Sequence, residues 1–194
     1  MKRSVLIVCL LCLSACAGQP SESRLYLLRA PSTLDSRPLD FSSDYALGSV
    51  NIAAYLDQPG LILETGDGTL RAARNHLWAE PVFEAIPNFL RQAISAELGT
   101  DLHLAPREQD ATRINIRIDQ MHGTRDGKAL LVAYWWLSDG DKPAKAFRFA
   151  RTQALQRDGY AALAEAQAAL LDQLAAQIAS QLKATATPPD ALQG

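Results

Sequence analysis

The chain has 194 residues, 48% hydrophobic and 21% charged, with 19 Lys plus Arg against 21 Asp plus Glu and a formal charge of −2. That balance excludes a chain too polar to build a core, and its slight acidity offers no electrostatic footprint for nucleic acid. His76, His103 and His122 stand far apart with no partner at a metal-ligand spacing, so no metal and no cofactor is expected.

The first residues have the parts of an export leader: Lys2 and Arg3, an apolar run over 5–13, then small residues at Ser14 and Ala15. The run is too short to span a bilayer, which takes roughly 20 residues. The order Leu13-Ser14-Ala15-Cys16 resembles a lipobox, the recognition sequence of bacterial lipoprotein signal peptidase. That resemblance makes 1–15 a signal peptide and Cys16 the first mature residue, its thiol carrying a diacylglyceryl group and its amine a third acyl chain. Each buried methylene contributes about 0.8 kcal/mol, so two or three chains make a durable anchor. The other reading is a standard leader cleaved at Ala15 or Ala17, with a coincidental cysteine. An Asp directly after the cysteine retains lipoproteins in the inner membrane of double-membraned bacteria. Ala17 stands there instead, so the periplasmic face of the outer membrane is expected.

Removing 1–15 leaves 179 residues, enough for one domain. Lys2 and Arg3 leave with the leader, so Lys plus Arg falls from 19 to 17 and the formal charge becomes −4. Cys9 and Cys12 leave as well, so Cys16 is the one mature cysteine, and acylation accounts for it. Residues 16–23 form the lipidated N-terminus and a short polar linker.

The domain is expected over 24–183. "RLYLL" reads as a short strand and "YALGSVNIAAYL" as a second, with loop-like "APSTLDSRPLDFSSD" between them. "GLILETGDGTLRAAR" reads as a hairpin turning at Gly66-Asp67-Gly68. In "HLWAEPVFEAIPNFLRQAISAEL", Val82, Phe83, Ile86, Phe89, Leu90, Ala93, Ile94 and Leu98 recur at helical spacing. Pro81 suits its first turn, Gly99 its stop, and Pro87 is expected to kink or break it. Ile114, Ile116 and Ile118 alternate with Arg113, Asn115 and Arg117, the pattern of a half-buried strand. Asp126-Gly127 and the "SDGD" at 138–141 then mark turns of a three-stranded meander through "LLVAYWWL" and "KAFRFART". In this meander Trp135 and Trp136 point to opposite faces. "DGYAALAEAQAALLDQLAAQIASQLK" aligns Leu163, Leu170, Leu174, Ile178 and Leu182 in one stripe, and 184–194 reads as a disordered tail. The expected fold is a single α+β domain: a largely antiparallel sheet with two main helices packed on one face.

Catalytic patterns are sparse. No Gly-x-Ser-x-Gly elbow occurs, and Asp57, Glu64, Asp67 and Glu80 cannot be assigned as a glycosidase pair from spacing. His76 with Glu80 reads as a surface pair at a helix entry rather than an acid–base couple. An enzyme is not expected.

Three segments together, "LYLL", "VNIAAYLDQPGLIL" and "LWAEP", resemble the ABC-type transport auxiliary lipoproteins, the PqiC-like family. The motifs carrying most of the resemblance are Tyr55-Leu56-Asp57 and Trp78-Ala79-Glu80-Pro81, which it marks as structural or partner-binding. It implies a non-enzymatic subunit working with an MCE-domain protein and an inner-membrane ABC-type or related transporter to move lipids or other hydrophobic molecules between membranes. Homo-oligomerisation is left open. Two other classes remain: an assembly factor or plug for an outer-membrane β-barrel, and a lipid-anchored hydrolase. Pro87 departs from a regular helix after Trp-Ala-Glu-Pro.

Overall fold

The computed structural model describes residues 22–30, 38–66, 68–102, 111–138 and 145–186. The leader, Cys16, Asp67, His103, most of "SDGD" and 187–194 lie outside the described residues.

The isoleucine alternation builds the central strand. Ile114, Ile116 and Ile118 are fully buried in β5 (Thr112–Gly123), on the face that the helices cover. Strand β6 (Lys128–Ser138) lies antiparallel to β5 from Arg113↔Ser138 to Gly123↔Ala129, and β7 (Ala146–Ala154) continues the meander. The β5–β6 register shifts between Ile118 and Gln120, a bulge that carries the buried face from Ile118 to Met121.

The opposite edge of β5 is shared. Strand β2 (Tyr45–Ile52) pairs in parallel with it from Thr112 to Ile118, while β3 (Gly60–Gly66) meets it in parallel at Leu63↔Gly123. Strand β4 (Thr69–Trp78) forms the expected hairpin with β3, and β1 (Arg24–Tyr26) closes that end in parallel with β4. The α+β class is as the sequence predicts, but the sheet is mixed, because both N-terminal strands join in parallel.

Helix α1 (Val82–Leu98) covers the span of the hydrophobic period, with Pro81 at the N-cap position, while His76, Leu77 and Trp78 before it belong to β4. It runs unbroken through Pro87. The acceptor left without its donor there is the carbonyl of Phe83, an exposed residue, so no buried group is stranded. Gly99, at φ 81°, ends the helix with its N–H donating to the Ser95 carbonyl.

Helix α2 (Tyr160–Ala186) carries its leucine stripe fully into the core and extends three residues past Lys183. It packs across β5, β6 and β7, while α1 packs against α2 and β2. Trp135 is buried and stacked on Phe147 at 4.1 Å, whereas Trp136, on the other face, is partly exposed.

Close backbone approach fixes Gly60. A methyl group there would press on the carbonyl oxygen of Ala73, which cannot rotate away. At Gly48 the obstacle is the side-chain Oδ1 of Asn115 at 2.5 Å, which can. Gly60→Ala should therefore destabilise by about 1–3 kcal/mol in urea unfolding, and Gly48→Ala by clearly less.

Candidate docking site at the strand-to-helix junction

The two sequence motifs meet in space. After β2 the chain makes a single 3-10 turn over Ala54–Leu56, with the N–H groups of Leu56 and Asp57 donating to Ala53 and Ala54. Leu56 is 3% exposed and joins the core, while Asp57 points to water. The Gln58 amide donates to the Tyr55 carbonyl at 2.6 Å, and the Pro59 carbonyl accepts from the Trp78 N–H at 2.7 Å. That last bond fastens Tyr55-Leu56-Asp57 to Trp78-Ala79-Glu80-Pro81.

The second motif is a strand end turning into a helix. Trp78 is 8% exposed and packs in the core, and the Ala79 N–H donates to the Tyr26 carbonyl at 2.8 Å, extending the β1–β4 ladder. The Pro81 carbonyl accepts from both Glu84 and Ala85, opening α1. Proline fits because a residue at the start of a helix has no intrahelical acceptor to give up.

Tyr55 has a further task. The β2 ladder ends where the Ala53 N–H donates to the Ile118 carbonyl, and β3 begins only opposite Gly123. In the gap, the Met121 N–H donates to the Tyr55 hydroxyl at 3.0 Å, and the Tyr55 ring meets His122 edge-on at 6.4 Å. Burial pushes the Tyr55 hydroxyl above its ordinary value of 10.0, and the Met121 N–H partly opposes this.

Asp57, Gln58, Pro59, Trp78, Glu80 and Phe83 line a depression of about 400 Å³. A second recess of about 470 Å³, floored by Leu28 and Phe89, adjoins it across Glu80 and reaches Leu27 and Arg29. Phe83 is the one residue of the α1 stripe that leaves the core, at 53% exposed, and Leu25 and Leu27 in and after β1 are exposed at 64% and 43%. Periodicity had assigned Phe83 to the buried face. Its place in the first turn, beside the depression lined by Asp57 and Glu80, separates it from the rest of the stripe.

The histidines take structural places. His76 is not beside a helix entry with Glu80: its ring lies between Tyr26, whose hydroxyl is 2.8 Å from Nδ1, and Tyr160 at 4.4 Å. The Nδ1 of buried His122 donates to the Gly123 carbonyl at 3.1 Å. Among the described residues no cluster of three or more His, Cys, Asp or Glu could hold a metal ion. No described helix is long and apolar enough to cross a membrane.

The junction thus offers an exposed aromatic ring, two prolines and two water-facing carboxylates, Asp57 and Glu80, with no nucleophile–base pair. It is an exposed apolar and acidic surface on a mixed α+β domain. The sequence model of the family described as ABC-type transport auxiliary lipoprotein component matches residues 26–179, and the chain belongs to that family. It is 26% identical over 186 residues to the intermembrane transport lipoprotein PqiC of Escherichia coli K12, covering 94% of this chain and 98% of that one. The Shigella flexneri protein of the same name matches to the same extent. Two crystal structures share the fold. An uncharacterized protein gives a TM-score of 0.71 at 24% identity, over 83% of this chain and 99% of its own. A Xanthomonas campestris protein gives 0.63 at 16%, over 84% and 99%.

Tyr55→Phe leaves the Met121 N–H without its acceptor, which should destabilise the fold by about 1–3 kcal/mol. Because the folded-state value of Tyr55 is raised, its contribution is complete below pH 10 and is lost as pH rises through the folded value. Urea midpoints measured across alkaline pH should fall less steeply in Tyr55→Phe than in the parent.

Proposed function

We propose that this protein is the outer-membrane lipoprotein of an intermembrane transport system, a binding subunit without catalytic activity of its own. Acylated Cys16 holds it on the periplasmic face of the outer membrane. There it receives the tip of an MCE-domain protein that is linked to an inner-membrane ABC-type or related transporter. The movement of lipids or other hydrophobic molecules is driven by those subunits.

The observation that carries this reading is the match to the PqiC lipoprotein along 94% of the chain. The junction supports it physically. Asp57 and Glu80 flank Phe83 around one depression, so the surface suits a partner segment with apolar and basic side chains. The leash is short: residues 17–23 reach at most about 25 Å when extended. The domain is then held close to its membrane.

Full-length protein solubilised in detergent and used as bait, beside Cys16→Ser, tests the assignment by mass spectrometry of what is retained. The expected result is an MCE-domain protein on the parent and loss of Cys16→Ser from the membrane fraction. Recovery of a β-barrel or barrel-assembly factor alone sinks the transport reading. A Phe83→Asp, Glu80→Lys double variant, altered only at exposed positions, should lower capture of the MCE-domain protein by about tenfold, with the thermal midpoint unchanged.

A further inference from the structure

A cavity lies away from the motif junction, where three turns converge. It measures about 500 Å³ and is bounded by the β3–β4 hairpin, the β5–β6 turn and the start of α2. Its floor is apolar. Leu63 of β3, Leu155 after β7, and Tyr160 and Leu163 of α2 line it. Gly123 makes that floor continuous: a methyl group there would stand 2.8 Å from Leu63 Cδ1 and 3.0 Å from both methyls of Leu163. Only a residue without a side chain lets the two leucines close over the central strand.

The mouth is charged, and its charges are unequally occupied. Glu64 accepts from the Gly68 N–H at 3.3 Å, and Lys128 is paired with Asp126 at 2.5 Å. Lys128 and Thr124 together hold the Asp126 carboxyl down to about 2. Asp158 stands two residues before α2, where the helix dipole favours a negative group. Arg71 and Arg125 remain, and neither has a hydrogen-bond or ion-pair partner among the described residues. The Arg125 guanidinium reaches back from its own turn to the other hairpin, with Nη1 3.5 Å from where a side chain on Gly66 would begin. Two guanidiniums without partners among the described residues, above an apolar floor, are the chemistry that suits a ligand with an anionic head and a hydrocarbon tail.

We propose that this cavity binds a single-chain anionic amphiphile, its acyl chain along Leu63, Leu155 and Leu163 and its carboxylate or phosphate at Arg71 and Arg125. The volume lies in the lower half of the roughly 300–1,000 Å³ that small-molecule sites occupy, which suits one chain. The site also connects to the membrane-proximal strand. Tyr160, in its wall, stacks on His76, which in turn holds Tyr26 of β1. The assignment stands on the cavity's own chemistry and is independent of which transporter the protein serves.

The experiment is photocrosslinking of full-length lipoprotein, reconstituted in phosphatidylcholine nanodiscs, with a diazirine derivative of palmitic acid, followed by peptide mapping. Adducts are expected in the segments 123–128 and 155–163. An Arg71→Ala, Arg125→Ala double variant should label about tenfold less, as the loss of charged hydrogen bonds implies. Leu155→Asp, at a half-exposed position, should abolish the adduct while circular dichroism stays unchanged. Competition by palmitate more strongly than by lysophosphatidate assigns a carboxylate head, and the reverse order a phosphate head. Equal competition by uncharged monopalmitoylglycerol overturns the anionic assignment. Adducts confined to other segments, or labelling indifferent to both variants, overturn the site itself.

Discussion

The edge of β5 between Ile118 and Gly123 is the constraint on which the N-terminal half of the domain turns. A central strand needs partners on both edges, and here one edge is covered by two different strands that meet it end to end. Where one stops and the other starts, the backbone is left with a donor, the Met121 N–H, beneath packed side chains. Leaving it unpaired would cost on the order of 1–3 kcal/mol, a sizeable share of a domain's net stability. The Tyr55 hydroxyl meets it, and to do so the chain must leave β2 through a tight 3-10 turn at that level of the sheet.

Much else follows from that turn. It delivers Asp57, Gln58 and Pro59 to the end of β4, where the Pro59 carbonyl takes the Trp78 N–H. The Trp-Ala-Glu-Pro junction is thereby held at a fixed distance from the Tyr-Leu-Asp turn, and α1 leaves from it in one direction. Within each motif the residues divide by burial. Tyr55, Leu56 and Trp78 hold the scaffold, whereas Asp57 and Glu80 are carried on it facing water. Backbone hydrogen bonds thus hold the exposed members of both motifs in fixed places on the scaffold.

What could be read beforehand was local. The period-two isoleucines of β5 and the leucine stripe of α2 name their own buried faces, and the Asp-Gly turn orders the meander. The parallel partners of β5 and β4 were hidden because nothing in a strand records a neighbour that lies more than fifty residues away. The bulge near Asp119 was hidden too, since an extra residue alters register without altering composition. His76 fell on the wrong element because three apolar-looking residues before a proline fit a strand end and a helix start equally well. Phe83 matched the helical stripe, and only the tertiary packing of the first turn decides that it stays in water. The cavity was invisible for the same reason as the parallel pairing: its two free guanidiniums come from Arg71 and Arg125, on turns brought together only by the fold.

The two sites differ in how they are held, and that difference bears on what each can do. The junction is laced by main-chain hydrogen bonds from Pro59, Trp78, Ala79 and Pro81, so its shape belongs to the scaffold and suits a protein partner that must be met in one orientation. The cavity is closed by side chains of two turns and one helix end, elements whose ends can shift without breaking the sheet. The His76 ring, held between Tyr26 and Tyr160, joins β1 to the wall of the cavity, beside the β1–β4 ladder that leads along β4 to Arg71.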